Sequence, residues 1–400
     1  MTAAARVAVV VLGDLGRSPR MQYHALALAD DGYAVDFIGY AGRPPDRAVS
    51  DNPSIRVTLL GAPLRNRVPA ALFAPAAAAD LAWQSASLFS RLVAAPRPDL
   101  ILVQNPPSFP TLPVALAAAA VCRARLIVDW HNFGADMLAL RLGRGREHAA
   151  VRMAEAAERA LGQRAHAHLC VSRAMRAALA QRFGIAGAHV LYDRPAKRPT
   201  PTARGPLLGR LGLPQDGAVA ITSSSWSDDE DFGLLVDAMV VVDALLRGRP
   251  DLPALTLVMT GDGPRRAHWE ARFAAAGLVR VRPRTLWASA EDYPLLLAAA
   301  DVGLSLHRSA SGVDLPMKVS DMFGAGLPVL ALDYGPVVRE LVEPGVTGRL
   351  FSDAATLAGE LGALLADPAA LAALRAGVAR TASRSWQDGW RDEARMVFRT

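Results

Sequence analysis

Six polar loops follow short apolar runs in this 400-residue chain, and they hold most of the residues suited to chemistry. In GDLGRSPR, residues 13–20, Gly13 and Gly16 permit a sharp strand-to-helix turn, and Ser18 before Pro19 suits a helix start. Backbone amides there suit an anion. Asp14 would repel a phosphate but can accept a proton from an attacking hydroxyl. A turn and a cap without a ligand explain the same residues.

DWHN, residues 129–132, places an acid, an imidazole and an amide at the end of an apolar run. His131 can serve as a general base, since imidazole ordinarily titrates near neutrality, or can hydrogen-bond a sugar or phosphate. The plainer reading is a buried histidine oriented by Asp129. With His131 as its only imidazole, the stretch is a poor metal site. GDGPRR, residues 261–266, offers Gly261 and Gly263 for close backbone approach and Arg265 and Arg266 for anionic oxygens, or else is a turn with surface arginines. The acidic DDEDF, residues 228–232, reads mainly as a solvated helix start that complements the helix dipole. Ser225 and Trp226 just before it are better ligand candidates. After HRSASGVDLPMK, Lys318 and Asp321 stand three apart near a helix start, cation for a diphosphate and carboxylate for ribose hydroxyls. An ordinary surface ion pair would show the same spacing. Glu340 follows in a further loop.

These loops need a scaffold that presents strand ends. In the first half RVAVVVLG, YAVDFIGY, IRVTLLG, DLILVQ and RLIVDW alternate with alanine-rich helical stretches. After a Pro- and Arg-rich stretch, AVAITSSS, LTLVMTGDGP, RVRPRTL, ADVGLSLH and LPVLALD repeat the pattern. Continuous apolar strands between helices indicate parallel βαβ units. The expected fold is α/β, two Rossmann-like doubly wound domains facing a cleft. The expected division is an acceptor domain over residues 1–195, a linker over 196–206, a nucleotide domain over 207–385, and a C-terminal helix over 386–400 returning to the first domain. Ligands in such sheets bind beyond the carboxyl ends of the strands, where all six loops lie.

Composition narrows the classes. The chain is 52% hydrophobic, 20% charged and 6% aromatic, which describes a globular protein. Cys122 and Cys170 sit in apolar runs and read as small buried hydrophobes. Only Val7 to Leu12 separate Arg6 from Gly13, too few for a signal-peptide core, and no apolar run reaches about 18 residues. A soluble or peripheral cytoplasmic protein is expected. The net charge of +6 comes without a basic cluster interleaved with aromatics, so nucleic acid is not expected, whereas phosphorylated small molecules or anionic lipid are.

Pro316, Lys318, Asp321, Gly326, Pro328 and Val329 match a PxKxx(D/E)…GxPV pattern that resembles the sugar-nucleotide region of GT-B glycosyltransferases. More specifically, VVLGDLGRSPRMQYHA, QNPP, VDWHN, LYDRPA, SSWSDDEDF, GDGP, EDYPLLL and SGVDLPMKVSDMFG together resemble the chitobiosyldiphosphodolichol beta-mannosyltransferases. The resemblance implies mannose transfer from GDP-mannose, with inversion, to a carrier-lipid-linked sugar. It implies a donor site with Lys318 at the diphosphate and Asp321 at the ribose. Ser225, Trp226, Gly261, Gly263, Arg265, Ser311, Gly312, Leu315, Pro316, Met317 and Glu340 would line it, and Gly16 and Arg17 or Arg20 would reach it from the first domain. Asn105, Asp129 and Asn132 are the expected acceptor contacts. Asp14 is the first candidate base and His131 the second. Val313 stands where many retaining relatives carry a glutamate, in keeping with inversion. No metal is expected; arginine, lysine and helix N-termini take its place.

Eukaryotic members have an N-terminal membrane anchor, whereas this chain starts at its first strand. Residues 63–93 offer a substitute: Phe73, Trp83 and Phe89 with Arg65, Arg67 and Arg91 can rest on an anionic membrane, or can form an ordinary core helix. Rival readings are a transferase using a UDP-sugar on another acceptor and a non-catalytic sugar-nucleotide-binding protein. A dehydrogenase is disfavoured because GxGxxG is absent.

Overall fold

A computed structural model describes residues 4–61, 73–194, 203–226, 230–289, 291–309, 311–381 and 384–399, with only the backbone of 73–78. The chain divides into two units, one of Met1–Tyr192 with Gln387–Thr400 and one of Asp193–Trp386. The strands of the first are β1 (Arg6–Asp14), β2 (Ala34–Tyr40), β3 (Ile55–Leu60), β4 (Leu100–Asn105), β5 (Arg125–Trp130), β6 (Ala167–Cys170) and β7 (Ala188–Val190). They lie in the order β3-β2-β1-β4-β5-β6-β7, all parallel. The second holds β8 (Ala218–Ser223), β9 (Leu255–Thr260), β10 (Val281–Leu286), β11 (Val302–Ser305), β12 (Val329–Leu332) and β13 (Gly348–Phe351), again parallel, in the order β10-β9-β8-β11-β12-β13.

Helices cover both faces of such sheets, so strand residues need not alternate in polarity. Val7, Val9, Val10, Leu100, Ile101 and Leu102 are each fully buried. Each strand order reverses once, between β1 and β4 and between β8 and β11, and the crevice at that reversal is where a doubly wound sheet binds ligands.

Three details differ from the sequence expectation. β13 was not foreseen: GRLF is short, with one charged residue and a glycine. Its Gly348 lies so close to β12 that a Cβ would meet the Val329 carbonyl at 2.1 Å. Helix Arg204–Arg210 begins inside the expected linker, because Leu207 and Leu208 are buried in the second core and Arg204 forks onto Asp301 at 2.8 and 2.9 Å. Ser18 does not cap its helix; its hydroxyl donates back to the Asp14 carbonyl, while Pro19 opens the helix.

The C-terminal segment packs on the first sheet's helices. Arg395 pairs with Asp31 at 2.7 Å, Tyr33 donates to the Phe398 carbonyl at 2.9 Å, and Trp390 stacks on Phe398. Among the described residues no single helix is long and apolar enough to cross a membrane. The one pair that passes by composition, Ala354–Ala366 with Pro368–Thr381, bends by 101°.

Candidate active site

In the second unit the loops after β8 and β9 are pressed together. A Cβ on Gly261 would lie 1.9 Å from the Ser224 carbonyl oxygen, and one on Gly263 would lie 1.7 Å from that of Ser225. Gly261 also has φ +120°, so only glycine serves there. The Arg265 amide donates to the Trp226 carbonyl at 3.1 Å. Trp226, expected at the donor, is instead fully buried and stacked on Phe232 at 4.7 Å. Its indole fills core beneath the loop, leaving the neighbouring exposed Ser225 as the surface residue.

Lys318 enters this crevice from the first turn of helix Met317–Gly324. Its ammonium donates to the Ser223 carbonyl at 2.7 Å and pairs with Glu230. Glu230 belongs to the acidic run read as a solvated helix start, a reading that missed its burial beside Lys318. Asp231 does cap helix Phe232–Gly248, accepting from Leu234 at 3.0 Å, and Asp228 falls outside the described residues. Glu230 is only 7% exposed. Its carboxylate meets the Ser224 hydroxyl as well as Lys318, and its backbone bridges to His307. The signal available in the sequence was its position between Trp226 and Phe232, which bury the chain on either side.

Further around the crevice, Asp314 gathers the loop after β11. It accepts from His307 at 3.2 Å and from the hydroxyls of Ser309 and Ser311, while the Tyr334 phenol donates to its carbonyl at 3.2 Å. Burial pushes its carboxyl up, but these hydrogen bonds and the His307 charge outweigh it and hold it below the usual range. Burial and the nearby Asp314 and Glu340 charges raise the Tyr334 phenol, so the loops after β11 and β12 share one electrostatic environment. Gly312 turns this loop at φ +75°, Leu315 is half-buried, Pro316 precedes the helix and Met317 is exposed. Asp321 stands one turn beyond Lys318. Its side chain keeps contact with solvent, yet desolvation by the protein around it and the Asp193 charge push its carboxyl up to about 7.

In the first unit the corresponding loops are closed on themselves. The Asp14 carboxylate accepts from the amides of Gly16 and Arg43, each at 3.0 Å, and lies 3.5 Å from Arg17. Gly16 is required by packing: a Cβ would sit 2.4 Å from the Arg43 carbonyl oxygen. Arg17 is exposed. Arg20, expected at the donor, is 2% exposed and consumed internally, forking onto Asp129 at 2.7 and 2.8 Å and donating to the Leu191 carbonyl.

Asp129, expected as an acceptor contact, is fully buried. Besides Arg20 it meets His24 at 3.2 Å and His131 at 2.9 Å. Burial alone would raise its carboxyl, but the Arg20 and His131 charges and the hydrogen bonds hold it well below the usual range. Trp390, which can only donate, gives its indole N–H to Nδ1 of His24 at 3.2 Å, so Nε2 of His24 carries the proton shared with Asp129. Burial lowers the His24 imidazole and keeps it neutral. His131 is the member of this group that reaches solvent, 22% exposed, with Nε2 donating to Asp129 and Nδ1 left as the basic nitrogen.

Asn105 is also buried, its amide nitrogen donating to Glu158 at 2.7 Å and to the Asn132 carbonyl. Asn132 accepts from the Phe133 amide through Oδ1 and stays partly open. Among the described residues no three potential metal ligands are grouped.

Residues 16–192 match the family described as Glycosyl transferase 4-like domain, and residues 221–367 match Glycosyl transferases group 1. The chitobiosyldiphosphodolichol beta-mannosyltransferase of Yarrowia lipolytica is 36% identical, covering 96% of this chain and 84% of its own. The mouse protein of the same name is 35% identical, covering 97% and 88%. A protein of Arabidopsis thaliana named UDP-glycosyltransferase TURAN is 37% identical over 98% of this chain and 97% of its own. Among solved structures, sucrose-phosphate synthase from Thermosynechococcus elongatus superposes with a TM-score of 0.71 at 18% identity, covering 97% of both chains. Anabaena HepE in complex with UDP gives 0.66 at 18% identity, covering 97% and 98%. Both show the two-domain GT-B fold.

Proposed function

The chain belongs to the chitobiosyldiphosphodolichol beta-mannosyltransferase family and is a glycosyltransferase; from that premise we propose that it transfers mannose from GDP-mannose, with inversion, to a hydroxyl of a lipid-linked sugar. The observation that carries the donor half is Lys318 at the strand reversal of the second sheet, its ammonium held at the end of β8 on the first turn of a helix. A diphosphate is favoured there by cation and helix dipole together. Binding would draw Lys318 away from Glu230 toward the phosphates. Asp321 would accept from ribose hydroxyls, and Glu340 and the Ser311–Gly312 turn would line the same pocket. Lys318 and the helix N-terminus would meet the leaving charge in place of a metal ion. The reading puts the reaction at a cytoplasmic membrane face.

Inversion is one displacement: the acceptor oxygen bonds to the anomeric carbon, its proton passes to a base, and the bond to the diphosphate breaks with the electron pair leaving on GDP. The proposal reverses the order of the two candidate bases. Asp14 spends its carboxylate on two amides, whereas His131 presents a free Nδ1 and is backed by a buried carboxylate that stabilises the imidazolium. Transfer assays with purified protein should show His131→Ala lowering kcat about 10²–10⁴-fold while Asp14→Asn retains turnover; the opposite pattern would restore Asp14. The 37% identical relative named for UDP favours a second donor reading. Calorimetric titration with GDP, GDP-mannose, UDP and UDP-glucose decides between them.

A further inference from the structure

The helical hairpin after β5 is fastened to the loops around His131. Helices Gly134–Leu142 and Ala149–Gly162 pack on one another. The buried Glu158 carboxylate accepts from the amides of Gly134 at 2.8 Å and Ala135 at 3.2 Å, from Asn105 at 2.7 Å and from the Ser108 hydroxyl at 2.8 Å. Hairpin, β4 loop and β5 loop therefore form one piece.

Its outward surface is unlike that of a solvated helix pair. Met137 is 42% exposed, Leu140 59%, Leu142 44% and Met153 72%, and Phe109, beside Ser108, is 47% exposed. Several large apolar side chains left exposed on one packed piece mark an interaction surface. Among them stand the exposed Arg141, Arg144 and Arg152. Of the hairpin's four acids, Asp136 and Glu158 are buried and Glu155 is bound by Arg182 at 2.6 Å, while Glu147 is exposed in the turn, so the exposed arginines outnumber the exposed acid. Apolar residues with a cationic surround are the pattern of helices that lie on anionic bilayers. This is a different segment from residues 63–93, of which Arg65, Arg67 and the Phe73 side chain fall outside the described residues and Trp83 is exposed.

We propose that the hairpin of residues 134–162 rests on an anionic lipid bilayer, its methionine and leucine side chains in the headgroup boundary and Arg141, Arg144 and Arg152 at the lipid phosphates. The lipid-linked acceptor of the proposed reaction gives this docking its purpose, but docking needs no acceptor. Because Glu158 ties the hairpin to the amides of Gly134 and Ala135, seating it anchors the loop that carries His131.

Co-flotation of the full chain with phosphatidylcholine vesicles, with and without phosphatidylglycerol, tests this without donor or acceptor, so it stands or falls apart from the reaction. The protein should float with the anionic vesicles only. Arg141→Ser with Arg144→Ser should weaken binding about fivefold per arginine. Leu140→Ser with Met153→Ser should weaken it about tenfold. Thermal melting should be unchanged, since all four side chains are exposed. Equal flotation on neutral vesicles overturns the proposal, as does undiminished binding by both variants. Loss of binding in Trp83→Ser alone would move docking to residues 63–93. A vesicle-independent, concentration-dependent dimer abolished by these changes would assign the surface to self-association instead.

Discussion

The two strand reversals of this molecule solve opposite problems with the same topology. At the first, the helix after β1 and the end of β5 bury their charges: Arg20, His24 and Asp129 are buried, and only His131 of that group emerges. At the second, two glycines clamp the loops backbone to backbone, while Lys318, Asp321 and Ser225 keep solvent contact. A buried charge network fixes one imidazole in one orientation, which suits proton transfer. An open ring of charges suits a polyanion that must enter and leave.

The contrast breaks most sharply at Arg20. Removing the guanidinium strands the Asp129 carboxylate in the core, so Arg20→Ala should destabilise the protein by about 3–5 kcal/mol in urea unfolding. Asp129 is held below its unfolded value, so its contribution is present above the unfolded carboxylate range and is lost as pH falls through the folded value. Without Arg20 the onset of acid unfolding should therefore move to higher pH.

Lys318→Ala should act on turnover more than on folding. A loss of about 10²–10³ in kcat/KM is expected, the size of a removed charge-stabilising donor. Lys318→Met with Glu230→Gln keeps the crevice neutral and should show the same kinetic loss with smaller destabilisation, as read by kinetics and melting. If the double variant regains turnover, Lys318 serves only to neutralise Glu230.

The smallest effect belongs to Asp321. Burial and the Asp193 charge push its carboxyl up to about 7, and in the proposed site its ionised form accepts more strongly from ribose hydroxyls. Affinity for the nucleoside diphosphate should rise severalfold as pH passes upward through that value, and Asp321→Asn should flatten the profile in calorimetric titration. A flat profile in the parent protein would remove Asp321 from the ribose.

Local pattern carried much of this. The alternation of apolar runs and helices foretold most strands, and the glycines of GDGP marked a close approach, although their neighbour turned out to be another loop of the protein. Trp226 shows the limit: an aromatic in a ligand loop is as well suited to stacking on Phe232 beneath it. β13 escaped because GRLF has little apolar character of its own and is defined by its pairing with β12.

What the sequence by itself determined was the α/β alternation, the doubling of the fold and the loops that carry polar residues, since each follows from periodicity and turn chemistry over a few residues. The tertiary structure alone decided the partners. Arg20 meets Asp129 across 109 positions and Trp390 meets His24 across 366. Lys318 finds Glu230 across 88. A charged side chain announces that it needs a counterpart, but which one depends on where the sheet order delivers it.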